Sequence, residues 1–171
     1  SKKRYIENGD IVSLDAGLIY KGYHSDAART VAVGEISDDA KKLIEVTKQC
    51  FFEGIKFAKE GNHLNDISTA IGEYARSFGY GVVEELVGHG IGTELHEDPQ
   101  IPNFPMKRKG IKLQAGMTLA IEPMINMGTC KVEWLDDGWT VVSKDRSLSA
   151  HYENTILITK DGCEILSLTE E

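Results

Sequence analysis

Histidines and carboxylates carry the chemistry this sequence could do. Residues 88–99 read GHGIGTELHEDP, with His89 and His96 seven positions apart among Gly88, Gly90 and Gly92. Seven residues make two helical turns, but glycine at alternate positions disfavours a helix, so the stretch is expected to be irregular or extended. That removes the helical zinc motif, whose histidines stand one turn apart about a glutamate, and the histidines need partners from elsewhere. Asp15, Asp26, Glu122 and Glu153 could supply them. Glu122 is the clearest, because TLAI precedes it and PMI follows, and a carboxylate in an apolar strand is costly unless paired, hydrogen-bonded or metal-bound. One isolated acid would be satisfied by a water-facing edge strand, and Asp15, Asp26 or Glu153 alone by a turn or strand end. Together with His89, the four acids are the ingredients of a two-metal site in which two acids bridge the ions.

If these acids converge, electrostatics demands a cation. Clustered carboxylates raise one another's pKa values and partly protonate, whereas two divalent ions neutralise them and keep all as ligands. An oxygen-rich set with one histidine favours Mn, Fe or Co over a thiolate-type zinc site. The glycines let the backbone approach closely, which would allow His89 to ligate while His96 reaches the substrate side. His24, His63 and His151 lack such a context and read as ordinary surface or turn residues.

The elements that must position these groups follow from periodicity. DIVSLDAG (10–17) alternates like a strand, and RTVAVG (29–34) is a β-branched run closed by glycine, so an antiparallel pair is expected. Ser37 caps an acidic first turn, Asp38 and Asp39, and opens a long helix with Leu43, Ile44, Cys50, Phe51, Ile55 and Phe57 on its apolar side and Gly61 past its end. A second helix is expected over 64–78, with Ile67, Ala70, Ile71, Tyr74, Ala75 and Phe78 on one stripe before Gly79. MTLAIE, WTVVS, ENTILIT and CEILS then read as strands separated by the turns DDG and KDG. The order predicts an α+β domain. Within it a repeat is visible: Gly9 precedes Asp15 and Gly116 precedes Glu122 by six positions, and a second acid, Asp26 or Glu153, later leads into RTVAV or NTILIT. This suggests duplicated halves, each presenting two carboxylates from adjacent strands.

Composition bounds the function. A chain of 171 residues with 41% hydrophobic content fits a single domain, residues 1–171, with a sizeable core. The net charge of -8 argues against nonspecific nucleic-acid or anionic-membrane partners, and the basic run MKRKGIK (106–112) reads as a solvated loop. No apolar run is long enough to cross a bilayer, and SKKRYIENGD lacks the apolar core of a secretion signal. Three cysteines without a CxxC pair fit a reducing compartment, so a cytoplasmic location is expected.

DAGLIYKGYHSDAARTVAVG, GHGIGTELHEDP, GMTLAIEPM and DGWTVVSKDRSLSAHYENTI, spread from Asn8 to about Leu168, resemble the ordered motifs of the type I methionine aminopeptidases of the pita-bread peptidase superfamily. The resemblance implies the pita-bread fold, a curved, mostly antiparallel sheet with helices on its outer face and pseudo-two-fold halves. It also implies two divalent ions, Co, Mn, Fe or Zn, held by Asp15, Asp26, His89, Glu122 and Glu153, with Asp26 and Glu153 bridging. The implied reaction is removal of methionine from a new polypeptide by a hydroxide held between the ions. Glu122 would also carry the proton, and His96 would hydrogen-bond the substrate. Trp139 looks like a wall of the methionine pocket, where an aromatic face suits a thioether. The implied partners are N-terminal methionyl peptides of nascent proteins, with transient ribosome association.

Departures from the family qualify this. Leu95 stands where an aromatic pocket residue is common, and the substantial N-terminal segment usual in the family is expected to be absent. Proline peptidases of the superfamily share GHGIG and HExP but usually carry glycine after the Glu-Pro pair, where this chain has Met124. X-Pro cleavage and a non-catalytic peptide-binding module are the competing expectations.

Overall fold

The computed structural model describes residues 5–168. The chain opens with an antiparallel ribbon of two ten-residue strands, β1 (Ile11–Tyr20) and β2 (Tyr23–Ala32). It is longer than the two alternating segments predict. Lys21 and Gly22, both at positive φ, form the tight turn that continues the pairing to Tyr20↔Tyr23. The register sets Asp15 opposite Ala28 and Gly17 opposite Asp26. Directly opposed side chains share a face, so Asp15 and Asp26 lie on the same side of the ribbon.

Helix α1 (Asp38–Ile55) starts where Ser37 accepts the Ala40 N–H, with Asp38 and Asp39 facing the positive end of the helix dipole. Its apolar stripe buries Leu43, Val46, Cys50 and Phe51. Phe57 does not join the stripe: the helix ends two residues earlier and the ring is exposed. Helix α2 (Leu64–Ser77) is opened by His63, whose backbone N–H is held by the Asp66 carboxylate, and it buries Ile67, Ile71 and Ala75 against α1.

The remaining strands are short: β3 (Gly81–Val82), β4 (Gly88–Gly90), β5 (Glu97–Ile101), β6 (Thr118–Ile121), β7 (Met124–Asn126), β8 (Val132–Trp134), β9 (Val141–Ser143), β10 (Ser149–His151), β11 (Asn154–Ile158) and β12 (Cys163–Ile165). They form an antiparallel sheet in the order β12-β11-β6-β4-β5, a smaller one in the order β10-β7-β3, and the hairpin β8–β9. A single hydrophobic cluster joins both helices to both larger sheets through Leu119, Ile121, Ile125, Ile156 and Ile158. The carboxylate-bearing segments gather where β2, β4, the end of β6 and the start of β11 meet, and the architecture is the expected α+β one.

Candidate metal centre

The site is assembled by seating β2 on the start of β11. Ala28 and Glu153 exchange backbone hydrogen bonds, the Glu153 N–H to the Ala28 carbonyl at 2.9 Å and the Ala28 N–H to the Glu153 carbonyl at 3.4 Å. The buried Thr155 hydroxyl accepts the Asp26 N–H at 2.9 Å and donates to the Asp26 carbonyl at 3.0 Å. The Arg29 guanidinium, 4.1 Å from the Tyr152 ring centroid, donates to the carbonyls of Ala28 and Glu153 and to Asn154 Oδ1. Every one of these bonds is spent on backbone or on Asn154, and the carboxylates of Asp26 and Glu153 are left facing one another's surroundings.

His89 enters from β4, threaded between β5 and β6. A Cβ on Gly88 would stand 2.4 Å from the Ala120 carbonyl oxygen, and one on Gly90 2.3 Å from that of Asp98. Glycine is therefore required here by the neighbouring strands, which close in on both sides of His89. The His89 Nδ1 lies 2.9 Å from the Gly90 carbonyl oxygen. A carbonyl can only accept, so Nδ1 carries a hydrogen, and in the neutral ring Nε2 presents its lone pair. That lone pair faces Glu122 Oε1 at 3.5 Å and Asp26 Oδ2 at 3.9 Å. One ligand atom each of Asp26, His89 and Glu153 falls within 4.8 Å of the others.

Acceptors thus converge with little to donate to them, the Ala27 N–H reaching Asp26 Oδ1 at 3.1 Å. Both carboxylate oxygens of Glu153 are buried and have no hydrogen-bond partner among the described residues. Burial, followed by the neighbouring charges of Glu122, Asp26 and Asp15, pushes the Glu153 carboxyl up to about 9 against a lowering by Arg29. Asp26 is raised by burial and by Asp15, with His89 opposing. Buried acids that raise one another's pKa values, beside an imidazole whose Nδ1 is tied to a carbonyl and whose Nε2 points at them, fit divalent metal.

The other expected site residues are placed as follows. Asp15 lies on exposed β1, near enough to raise Asp26. The His96 ring stacks edge-on to His89 at 4.3 Å between centroids. The Leu95 side chain packs beside Gly17, opposite Asp26. Trp139 stands apart, 89% exposed in the turn joining β8 to β9, with its N–H held by Asp137. His63 caps a helix, and His24 pairs by its N–H with the Gly92 carbonyl.

His151 is not a surface or turn residue as expected. It lies on β10, its ring is largely buried, and its Nε2 is 3.5 Å from Glu122 Oε2. A signal was present in SAHYEN: in an extended chain, residues two apart share a face, and His151 stands two before Glu153. Beside it opens a cavity of about 160 Å³ lined by Val83, Met124, Val132, Val141 and Ala150 among others.

Residues 1–160 match metallopeptidase family M24. The methionine aminopeptidase of Clostridium acetobutylicum is 56% identical over 170 residues, covering 99% of this chain and 68% of that protein. The crystal structure of methionine aminopeptidase from Thermotoga maritima superposes with a TM-score of 0.95 at 47% identity, over 99% of this chain and 68% of its own. Prolidase from Pyrococcus furiosus is more distant, with a TM-score of 0.79 and 30% identity, over 100% of this chain and 44% of that one. The chain therefore spans about two thirds of the length of the methionine aminopeptidases it matches.

Proposed function

The chain belongs to metallopeptidase family M24 and has its α+β pita-bread fold, and from that premise we propose that it removes the N-terminal methionine of new polypeptides. Asp15, Asp26, His89, Glu122 and Glu153 would hold two divalent ions. The observation that carries this reading is the pair of buried, unpartnered Glu153 oxygens facing the lone pair of His89 and the acids Asp26 and Glu122. When bound, such ions supply Lewis acidity toward the scissile carbonyl and lower the pKa of water.

The residues of the chain do the rest. Glu122 takes a proton from the attacking water and delivers it to the leaving amine. His96, edge-on to His89, donates a hydrogen bond to the substrate carbonyl as it becomes tetrahedral. The cavity beside His151 and Met124 combines aliphatic Val83, Leu86, Val132 and Val141 with Ser143 and Ser149, and its aliphatic part suits an unbranched, polarisable thioether. Leu95, and Trp139 at the tip of the hairpin whose base lines that cavity, are proposed contacts of the bound peptide. Among the described residues no helix is long and apolar enough to cross a membrane, and the cysteines are free. A cytoplasmic setting and transient ribosome association belong to the same proposal.

The test is the 171-residue chain loaded with Mn²⁺ and offered Met-Ala-Ser beside an X-Pro peptide. Cleavage of the methionyl peptide is expected, and Asp26→Asn should abolish both stoichiometric metal uptake and turnover. Preference for the X-Pro peptide, the activity suggested by the likeness to prolidase, or unchanged turnover in the variant, overturns the proposal.

A further inference from the structure

Glu122 lies between two imidazoles: His89 Nε2 is 3.5 Å from its Oε1, and His151 Nε2 is 3.5 Å from its Oε2. The two rings differ in what they can offer. His89 has committed its Nδ1 proton to the Gly90 carbonyl, so in the neutral ring its Nε2 is the nitrogen left to accept or ligate. His151 Nε2 is buried and has no hydrogen-bond partner among the described residues. The chain around His151 is fixed on both sides: it pairs with Met124 across β10 and β7, and the Thr30 hydroxyl accepts its N–H at 2.8 Å and donates to its carbonyl at 3.0 Å. A buried ring nitrogen held this firmly a few tenths of an ångström beyond hydrogen-bond range of a carboxylate is satisfied by donating to it.

We propose that His151 is a positioning residue: its Nε2–H holds Glu122 Oε2, so that Oε1 alone stays turned toward His89 and Asp26. The inference rests on the metallopeptidase reading of the site. It gives Glu122 one oxygen for the metal centre and one tethered toward the aliphatic cavity, which His151 also borders. Ligand carboxylates held by an outer hydrogen bond lose about 10- to 100-fold in metal affinity when that partner is removed.

The test is titration calorimetry of Mn²⁺ into the 171-residue chain and its variants, with kcat and KM for a methionyl peptide measured in parallel. His151→Phe is expected to weaken Mn²⁺ binding by about 10- to 100-fold without changing the stoichiometry, and to lower kcat more than it raises KM. His151→Gln, whose amide N–H can still reach Glu122, should recover most of both losses. If phenylalanine disturbs the melting of the metal-free chain, His151→Asn, with the amide one methylene too short, takes its place with the same expected loss. Unchanged affinity, failure of glutamine to rescue, or loss of a whole equivalent of metal, which would make His151 a ligand, overturns the inference. Absence of Mn²⁺ binding in the unmodified chain would instead overturn the reading beneath it.

Discussion

At Glu153 burial and charge oppose each other, and pH should reveal it. In the metal-free fold its carboxyl keeps a proton up to about 9, whereas the unfolded chain releases it near the ordinary value of 4.5. Below 4.5 both states are protonated and this group gives no pH dependence. Between those values the folded state binds more protons, so stability falls as pH rises. Asp26, also raised, acts in the same direction. Calorimetry of the metal-free chain should therefore show a melting temperature falling by several degrees between mildly acidic and mildly alkaline buffer, and Glu153→Gln should flatten that fall. A slope unaffected by the substitution would contradict the burial of an uncompensated acid. Glu122 and His89 were legible in the sequence because each violates its surroundings, an acid bounding an apolar strand and an imidazole among glycines, whereas Asp26 was legible only together with the other acids. His151 violates nothing locally. Its role is set by Glu122, nearly thirty residues away in sequence, and only the pairing of β10 with β7 brings the two together.

Elements were legible in proportion to how locally they are determined. Helix α1 could be read from a cap, an acidic first turn and a 3.6-residue stripe, and α2 from its stripe and the glycine past it, all properties of contiguous residues. Strands β3, β4 and β10 have three residues or fewer and no alternation to read, because their pairing is dictated by partners distant in sequence. The same non-local dependence makes the junction of β2 with β11 the sensitive point of the fold. The Thr155 hydroxyl satisfies the Asp26 N–H, and both residues are buried. Thr155→Val keeps the volume but orphans that donor, which costs about 1–3 kcal/mol, and Thr155→Ser should restore most of it. Urea denaturation reads the loss, and a valine variant as stable as the parent would show that the clamp is dispensable. Truncating the aromatic centre of α1 tests the other side: Phe51→Ala should cost about 3–5 kcal/mol, since Phe51 is fully buried against Phe52 and Tyr152.

Over the whole molecule, one core holds the helices and both larger sheets together, but the ribbon that carries the two aspartates is unevenly attached to it. β2 is fastened at Asp26, Ala28 and Thr30, and at His24 through the Gly92 carbonyl. Among the described residues β1 is paired only with β2, and from Ser13 to Tyr20 its residues are exposed, Leu14, Leu18 and Tyr20 included. Segments with few buried contacts open at low free-energy cost, so β1 is expected to exchange its amide hydrogens faster than β11 or α1. Asp15 is on that strand, and an ion shared between Asp15 and the buried acids would tie the outer strand to the core. Ligand at about 100 times its dissociation constant stabilises by about 2.7 kcal/mol, and here the gain should appear first where the fold is loosest. Hydrogen exchange followed by mass spectrometry with and without Mn²⁺ should show protection concentrated in residues 11–20, and Asp15→Asn should remove it. Protection confined to residues 88–90 and 153–158, with β1 unchanged while Mn²⁺ binds, would mean that the centre closes without Asp15.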